Sequence, residues 1–416
     1  MVKIVILGGS SVGTPSLIDA LRRLPLPAHK LHLVLHGRTL DKLGPVAKVA
    51  TQMADGCDWL DVSSTTNLAE ALEDATYIVN QVRIGGLAAR AFDETFPIAI
   101  GIPGEETVGP GGFANALRTV PEVVKLAHEI EQHAPDALLL SFTNPASVIQ
   151  YAVSKTTRLR AIGLCDGPVM MTGQAAAALG VDPAEISVDY VGMHHFGFIT
   201  RVVHNGKDVT ADMLASLERI PGFDMDIDFV RGLGALPTPY FKYFIHTDRI
   251  LEKQRSQKQS RAQQLQAIEA ELISEYANAD GRPHGLAKRG AKWYDAIIAP
   301  VLMNLIEQRE STFILNVQNN GLVPWLPSDA IVETPCLLQM GQVRPIAIAA
   351  PSSELKARIQ LNCAYEQLMV DAILEQSEAK ALRALTMSPL VQNTTQARAV
   401  LKQIWPNAMP TTHLPS

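Results

Sequence analysis

The sequence predicts an α/β fold: a parallel sheet covered by helices, followed by a mixed α+β part. Three features predict it. Short apolar runs alternate with amphipathic stretches over the first 165 residues, a glycine-rich turn follows the first run, and from about residue 186 the pattern changes to paired strand-like segments and long helices. The chain has 416 residues, 47% hydrophobic and 19% charged, enough to bury a large core. At roughly 100–200 residues per domain this length implies two. The change of pattern divides them into residues 1–185 and 186–416.

Composition narrows the class. Lys and Arg total 36 against 42 for Asp and Glu, a formal charge of -6 with no basic run, which argues against a nucleic-acid partner. The N-terminus MVKIVILGG enters a strand pattern at once, without the features of a signal peptide. No run reaches the ~18 apolar residues of a membrane span. Four cysteines, Cys57, Cys165, Cys336 and Cys363, are too few for a disulfide scaffold. A cytoplasmic enzyme with no membrane partner is expected.

Taken in order, residues 3–7, 31–35, 77–82, 138–142 and 159–164 read as buried strands, and 16–23, 41–53 and 113–133 as amphipathic helices. Strand and helix in alternation place helices on both faces of a parallel sheet. Residues 187–210 read as paired strands closed by a tight turn at Asn205 and Gly206. Helices are expected at 260–276, 288–306 and 354–375, strands at 312–317 and 330–338, and a loose Pro- and Thr-rich tail after Trp405. Ligands of such sheets bind at the carboxyl ends of the strands, so chemistry is sought in the turns that leave them.

The first such turn is Gly8, Gly9, Ser10, Ser11, Val12 and Gly13. Its first and last glycines fit G-x-G-x-x-G, with Ser10 in the middle place. A tight turn of this kind brings backbone N–H groups and a helix N-terminus to a pyrophosphate, which makes residues 1–185 a Rossmann-like dinucleotide-binding domain. An ordinary strand-to-helix turn is the plain alternative. The second strand ends His36, Gly37, Arg38, without the carboxylate that holds the ribose of NAD. Arg38 stands where a guanidinium meets a 2′-phosphate, so NAD and NADP both remain open.

Further along, Gly104 to Phe113 is a glycine-dense loop whose glycines would let the backbone approach a ligand. Its Glu105 and Glu106 serve either as acid/base groups or as solvated loop acids. Asn144, before Pro145, ends a buried strand among polar residues. Cys165 and Asp166 end the next strand, and His194 and His195 lie in the strand region that follows. A thiolate with an imidazole can hold a divalent metal, although a buried cysteine and a structural histidine pair are common too. Spacing alone assigns Tyr240 no role.

Together these segments resemble glycoside hydrolase family 4, the NAD-dependent glycosidases. The resemblance spans about residues 3–372 and is nearest the 6-phospho-β-glucosidase branch. VRIGGLAARAFDETFPIAIGIPGEETVGPGGFANALRTVP carries most of it. SFTNPASVI, IGLCDGP, GMHHFGF, PTPYFKYF, NNGLVPWLPSDAIVETPC and AYEQLMVDA follow in the family's order. The resemblance implies a mechanism without the usual carboxylate pair. A bound nicotinamide takes hydride from C3 of a sugar, a base removes the acidified C2 proton, and the aglycone leaves from C1. Water then adds and the hydride returns. Cys165 and His195 resemble the family's metal ligands, for Mn²⁺ or another divalent ion, and Tyr240 resembles the C2 base. Arg83, Glu106, Asn144, His194 and Arg261 fall at positions that resemble substrate contacts. The resemblance also implies a small glycoside substrate, 6-phosphorylated, a homo-oligomer, and a fold related to lactate and malate dehydrogenases.

The sequence departs from the family at several places. His194 stands where Asn is usual before the metal-binding histidine, and Glu105 where Gln is usual. Asp166 follows Cys165 as in 6-phospho-α-glucosidases, where that Asp is the proposed leaving-group acid, so Asp166 takes that role here. Two rival readings are a plain NAD(P)-dependent dehydrogenase of small hydroxy acids and a non-catalytic dinucleotide-binding regulator. The dehydrogenase gives Cys165, His195 and Tyr240 no task, and neither rival needs a metal.

Overall fold

The computed structural model of the chain describes residues 1–408. Its strands are β1 (Val2–Leu7), β2 (Leu31–His36), β3 (Leu60–Thr65), β4 (Tyr77–Asn80), β5 (Leu138–Ser141), β6 (Arg160–Gly163), β7 (Ile186–Met193), β8 (Phe196–His204), β9 (Lys207–Asp208), β10 (Leu236–Pro237), β11 (Ser311–Gln318), β12 (Ile331–Gln339) and β13 (Gln342–Pro345). They form one sheet. Its first part is parallel in the order β3-β2-β1-β4-β5-β6. That is the Rossmann order, and it reverses between β1 and β4, where ligands bind such sheets. Beyond β6 the sheet continues through β11, β12, β7, β8 and β10 in antiparallel pairing. The α/β class with a mixed second part is as the sequence predicts.

Strand β1 shows why. Ile4 and Ile6 join the cluster that holds helices Pro15–Arg23 and Leu40–Ala54, while Val5 and Leu7 join the one that holds Gly109–His133 and Ala146–Thr156. Successive residues of a strand face opposite sides, so a run buried on both sides must be apolar throughout. Strand β3 escapes sequence reading because it is an edge strand, LDVSST, in which only Leu60 is buried.

Other expectations need correction. The helix expected at 288–306 is broken into a 3₁₀ turn at His284–Arg289, Gly290 in the left-handed region at φ +63, a π turn at Tyr294–Ile298, and a helix at Ala299–Ile306. Pro300, within its first turn, lacks the N–H that a longer helix would use. Asn205 and Gly206 do form a tight turn, with φ of +50 and +73. Of the tail expected after Trp405, the described part continues as helix to Ala408, and residues 409–416 lie outside the described residues. No helix among the described residues is long and apolar enough to cross a membrane.

One buried carboxyl ties helix Ser353–Leu374 to the sheet's cover. Glu366 accepts from the Ser147 hydroxyl at 2.7 Å and from Asn362 Nδ2 at 2.9 Å. Burial pushes its carboxyl up to about 7 from 4.5. The folded chain therefore binds a proton that the unfolded chain releases between those values. Stability from this group is full below the unfolded pKa and falls as pH rises through the folded one. Glu366→Gln removes that slope. Its unfolding free energy relative to the parent should rise by on the order of 1–2 kcal/mol from about pH 5 to about pH 8, read by urea melts. A constant difference would contradict the assignment.

Candidate active site

The turn after β1 lies against the end of β4. Gly8 has φ +83, and a Cβ there would sit 3.0 Å from the Gln81 carbonyl carbon; one on Gly9 would sit 2.9 Å from Leu35 Cβ. Both positions require glycine. Gln81 Nε2 donates to the Gly8 carbonyl at 3.2 Å and to Thr14 Oγ1 at 3.0 Å, while its Oε1 accepts from the Tyr294 hydroxyl at 2.7 Å. The Gly13 N–H reaches Ser11 Oγ at 3.3 Å, and helix Pro15–Arg23 follows. A Cβ on Gly37 would sit 3.2 Å from Ser10 Cβ, so the loop after β2 borders this turn. Arg38, next on that loop, is exposed.

On the same sheet edge, Cys165 leaves β6 and Asp166 stands at the N-cap position of helix Gly167–Leu179 without a side-chain cap bond. His194 and His195 are not strand residues. They form the two-residue turn between β7 and β8, where Met193 pairs with Phe196. His195 has φ +60, uncommon for a residue with a side chain. The donor atoms of Cys165, His194 and His195 lie within 4.8 Å of one another, and all three side chains are buried. The rings of His194 and His195 stack at 3.7 Å, and Tyr240 stacks on His195 at 3.5 Å and 10°. Burial lowers both imidazoles, His194 to about 3, so both are neutral as metal ligation requires. Burial raises the Cys165 thiol well above its ordinary value, helped by Glu333 and Asp166. Glu333, itself buried, accepts from the Tyr190 hydroxyl at 2.5 Å and Asn316 Nδ2 at 2.8 Å.

Of the loop expected from Gly104 to Phe113 only residues 104–108 are loop, because helix Gly109–His133 already begins at Gly109, and the stretch packs for a different reason than ligand approach. A Cβ on Gly104 would fall 1.9 Å from the Glu94 carbonyl oxygen, and one on Gly111 2.1 Å from that of Glu105. The glycines let the chain touch itself, and in doing so they bury Glu105 and Glu106. Glu106 pairs with Arg83 and, at 2.8 Å, with Arg90; Arg90 also holds Glu94 at 2.7 Å. Glu94 in turn accepts the Ala262 N–H at 2.8 Å. Arg261, one residue before, begins helix Arg261–Asn278 and is exposed, so it stands outside this network. Asn144 is half-buried after β5, and its bond to Pro145 is cis.

Sequence reasoning missed Arg90 and Arg289. Arg289 Cγ would lie 3.8 Å from a Cβ on Gly13, and its guanidinium sits 5.0 Å over the Trp293 ring. Burial lowers its pKa, and the neighbouring Arg83 and Arg90 lower it further. Crowded cations beside a glycine turn attract an anion. The only sequence signal for Arg90 is its i,i+4 relation to Glu94; Arg289 lies in the stretch that reads as continuous helix.

Residues 3–181 match the model of the family 4 glycosyl hydrolases, and residues 190–391 that of their C-terminal domain. The chain belongs to glycosyl hydrolase family 4. A probable 6-phospho-beta-glucosidase of Bacillus subtilis (strain 168) is 30% identical to this family 4 enzyme, over 97% of this chain and 95% of its own. The 6-phospho-beta glucosidase of Thermotoga maritima, solved with manganese, NAD+ and glucose-6-phosphate, is 28% identical, covers 98% of both chains and gives a TM-score of 0.88. Malate dehydrogenase from Plasmodium falciparum, in complex with NADH, shares the fold at a TM-score of 0.52 and 13% identity, over 90% of this chain and 99% of its own. The expected fold kinship and the glycosidase class both hold for this family 4 member. The hydroxy-acid dehydrogenase and the non-catalytic regulator are set aside.

Proposed function

We propose that this enzyme cleaves 6-phosphorylated glycosides by oxidation at C3, deprotonation at C2 and elimination of the aglycone, using NAD or NADP and a divalent cation such as Mn²⁺. The observation that carries the reading is the close group of Cys165, His195 and Tyr240, on the same sheet edge as a turn that only glycine can form. The residues present fit both groups. Gly8, Gly9, Ser10, Ser11 and Gly13 are the candidates for the pyrophosphate, and Cys165 and His195 for the cation. When bound, NAD supplies reversible hydride acceptance at C3 and the cation polarises the C2 and C3 oxygens.

The remaining work falls to the chain's own side chains. Tyr240 takes the C2 proton. Burial raises its phenol well above the ordinary value, and the acidic groups around it, Glu105, Cys165, Glu106 and Asp166, raise it further when ionised, so it acts as a base only with positive charge beside it. Asp166 is the opposite case. Burial raises its carboxyl, which suits a group that keeps a proton until the aglycone oxygen needs it. Arg83, Glu106, Asn144 and His194 contact the sugar, with Arg83 and Arg289 suited to a phosphate. Arg261, exposed at the start of helix Arg261–Asn278, is the remaining candidate for a sugar contact.

Arg38 separates the cofactors. If it meets a 2′-phosphate, Arg38→Ala weakens NADP binding by about tenfold or more and NAD little, since a charged hydrogen bond contributes about 1.5–3 kcal/mol. Equal loss for both would remove Arg38 from cofactor choice. The whole reading is tested by nitrophenol release from α- and β-nitrophenyl 6-phosphoglucosides with Mn²⁺, reductant and NAD or NADP. Cleavage that needs both metal and cofactor supports it and assigns the anomer; cleavage without cofactor contradicts it. The division at residue 185, association into dimers or tetramers, and a cytoplasmic location belong to the same reading.

A further inference from the structure

We infer that Glu105 and Thr107 are positioning residues that hold His195 in the tautomer whose Nε2 lone pair is free for a cation. The inference rests on the reading of His195 as a cation ligand. Thr107 Oγ1 lies 2.7 Å from His195 Nδ1 and 2.5 Å from Glu105 Oε2. The same Oε2 accepts the backbone N–H groups of Thr107 and Val108, at 2.5 and 2.9 Å. An oxygen already accepting two N–H groups is not the donor, so the Thr107 hydroxyl gives its one hydrogen to Glu105. Toward His195 that hydroxyl can then only accept. Nδ1 must carry the imidazole's single hydrogen, and Nε2 is left with its lone pair.

His194, one residue earlier, is set the other way. The Ala146 N–H donates to its Nδ1 at 3.3 Å, so the neutral ring carries its hydrogen on Nε2, which is left as a donor. Two adjacent histidines thus receive opposite tautomers from different parts of the chain. One suits a cation, the other a sugar oxygen. Histidines that bind metals commonly donate their second nitrogen to a carboxylate or carbonyl; here a hydroxyl relays the carboxylate.

The test is Mn²⁺ binding to the full-length protein without cofactor or substrate, read from the EPR signal of free Mn²⁺. Parent, His195→Ala, Thr107→Val, Thr107→Ser and Glu105→Gln are compared. Thr107→Val should bind about 10–100-fold more weakly, the usual cost of losing a partner of a metal-bound histidine. Thr107→Ser and Glu105→Gln should stay within about threefold, because a hydroxyl and an amide oxygen keep the chain of bonds. Thr107→Val at parent affinity, or Thr107→Ser as weak as Thr107→Val, overturns the inference. Equal binding by parent and His195→Ala overturns the ligand reading beneath it, and the inference with it. ¹⁵N shifts of His195 in the metal-free parent read the tautomer without any variant: a protonated Nδ1 supports it, and a protonated Nε2 overturns it.

Discussion

Tyr240→Phe is expected to reduce turnover of a nitrophenyl 6-phosphoglucoside by about 10²–10⁴-fold, the usual contribution of a positioned general base. NAD binding, followed by fluorescence titration, should be unchanged. Phenylalanine keeps the ring that stacks on His195 at 3.5 Å and removes only the hydroxyl, so the substitution isolates the proton transfer from the packing. The buried phenol, surrounded by carboxylates and the Cys165 thiol, makes the requirement sharper. It must be lowered by a cation before it can act, and no other hydroxyl stacks on the histidine turn among the described residues. Unchanged turnover would remove Tyr240 from the mechanism.

Cys165→Ser should cost both metal and activity. The thiol is buried, 3% exposed, and its donor atom lies within 4.8 Å of those of the two histidines. A serine hydroxyl fits the same space but is a far weaker ligand for a divalent transition metal than a thiolate. Mn²⁺ affinity is expected to fall by at least about 100-fold, with turnover following it and partly recovered at high Mn²⁺; loss of a ligand should exceed loss of a ligand's partner. Measuring metal content and rate on the same preparation checks this. A metal-free variant that still turns over would end the assignment of Cys165.

These predictions draw on features of unequal legibility. The parallel half was readable because a strand buried on both faces must be apolar, as Ile4 to Leu7 are, and because Gly8 follows immediately. The insertion of β11 and β12 between β6 and β7 was not, since pairing over such separations leaves no periodic trace. Apolar β7 and β8 were visible, but the turn between them carries two histidines in place of the usual glycine or asparagine, which hid it. The glycines of the Gly104 loop advertised a close approach without saying to what; the partner is the chain's own backbone at Glu94, Glu105 and Thr107. Thr107 and His195 stand 88 positions apart, and nothing in either segment announces their contact. Arg289 was concealed by a helical pattern that Gly290 and Pro300 interrupt.

The central claim is that the bond breaks by elimination across C1 and C2 rather than by direct displacement at C1. Hydrolysis in D₂O, with the released sugar phosphate examined by NMR, tests it most directly. Tyr240 as a residue is only half-buried, so the proton that its hydroxyl takes from C2 is expected to exchange with solvent before one is returned. The account predicts deuterium at C2 of the product. A product that retains hydrogen at C2 through complete turnover would contradict it, and would point instead to the paired-carboxylate chemistry of other glycosidases.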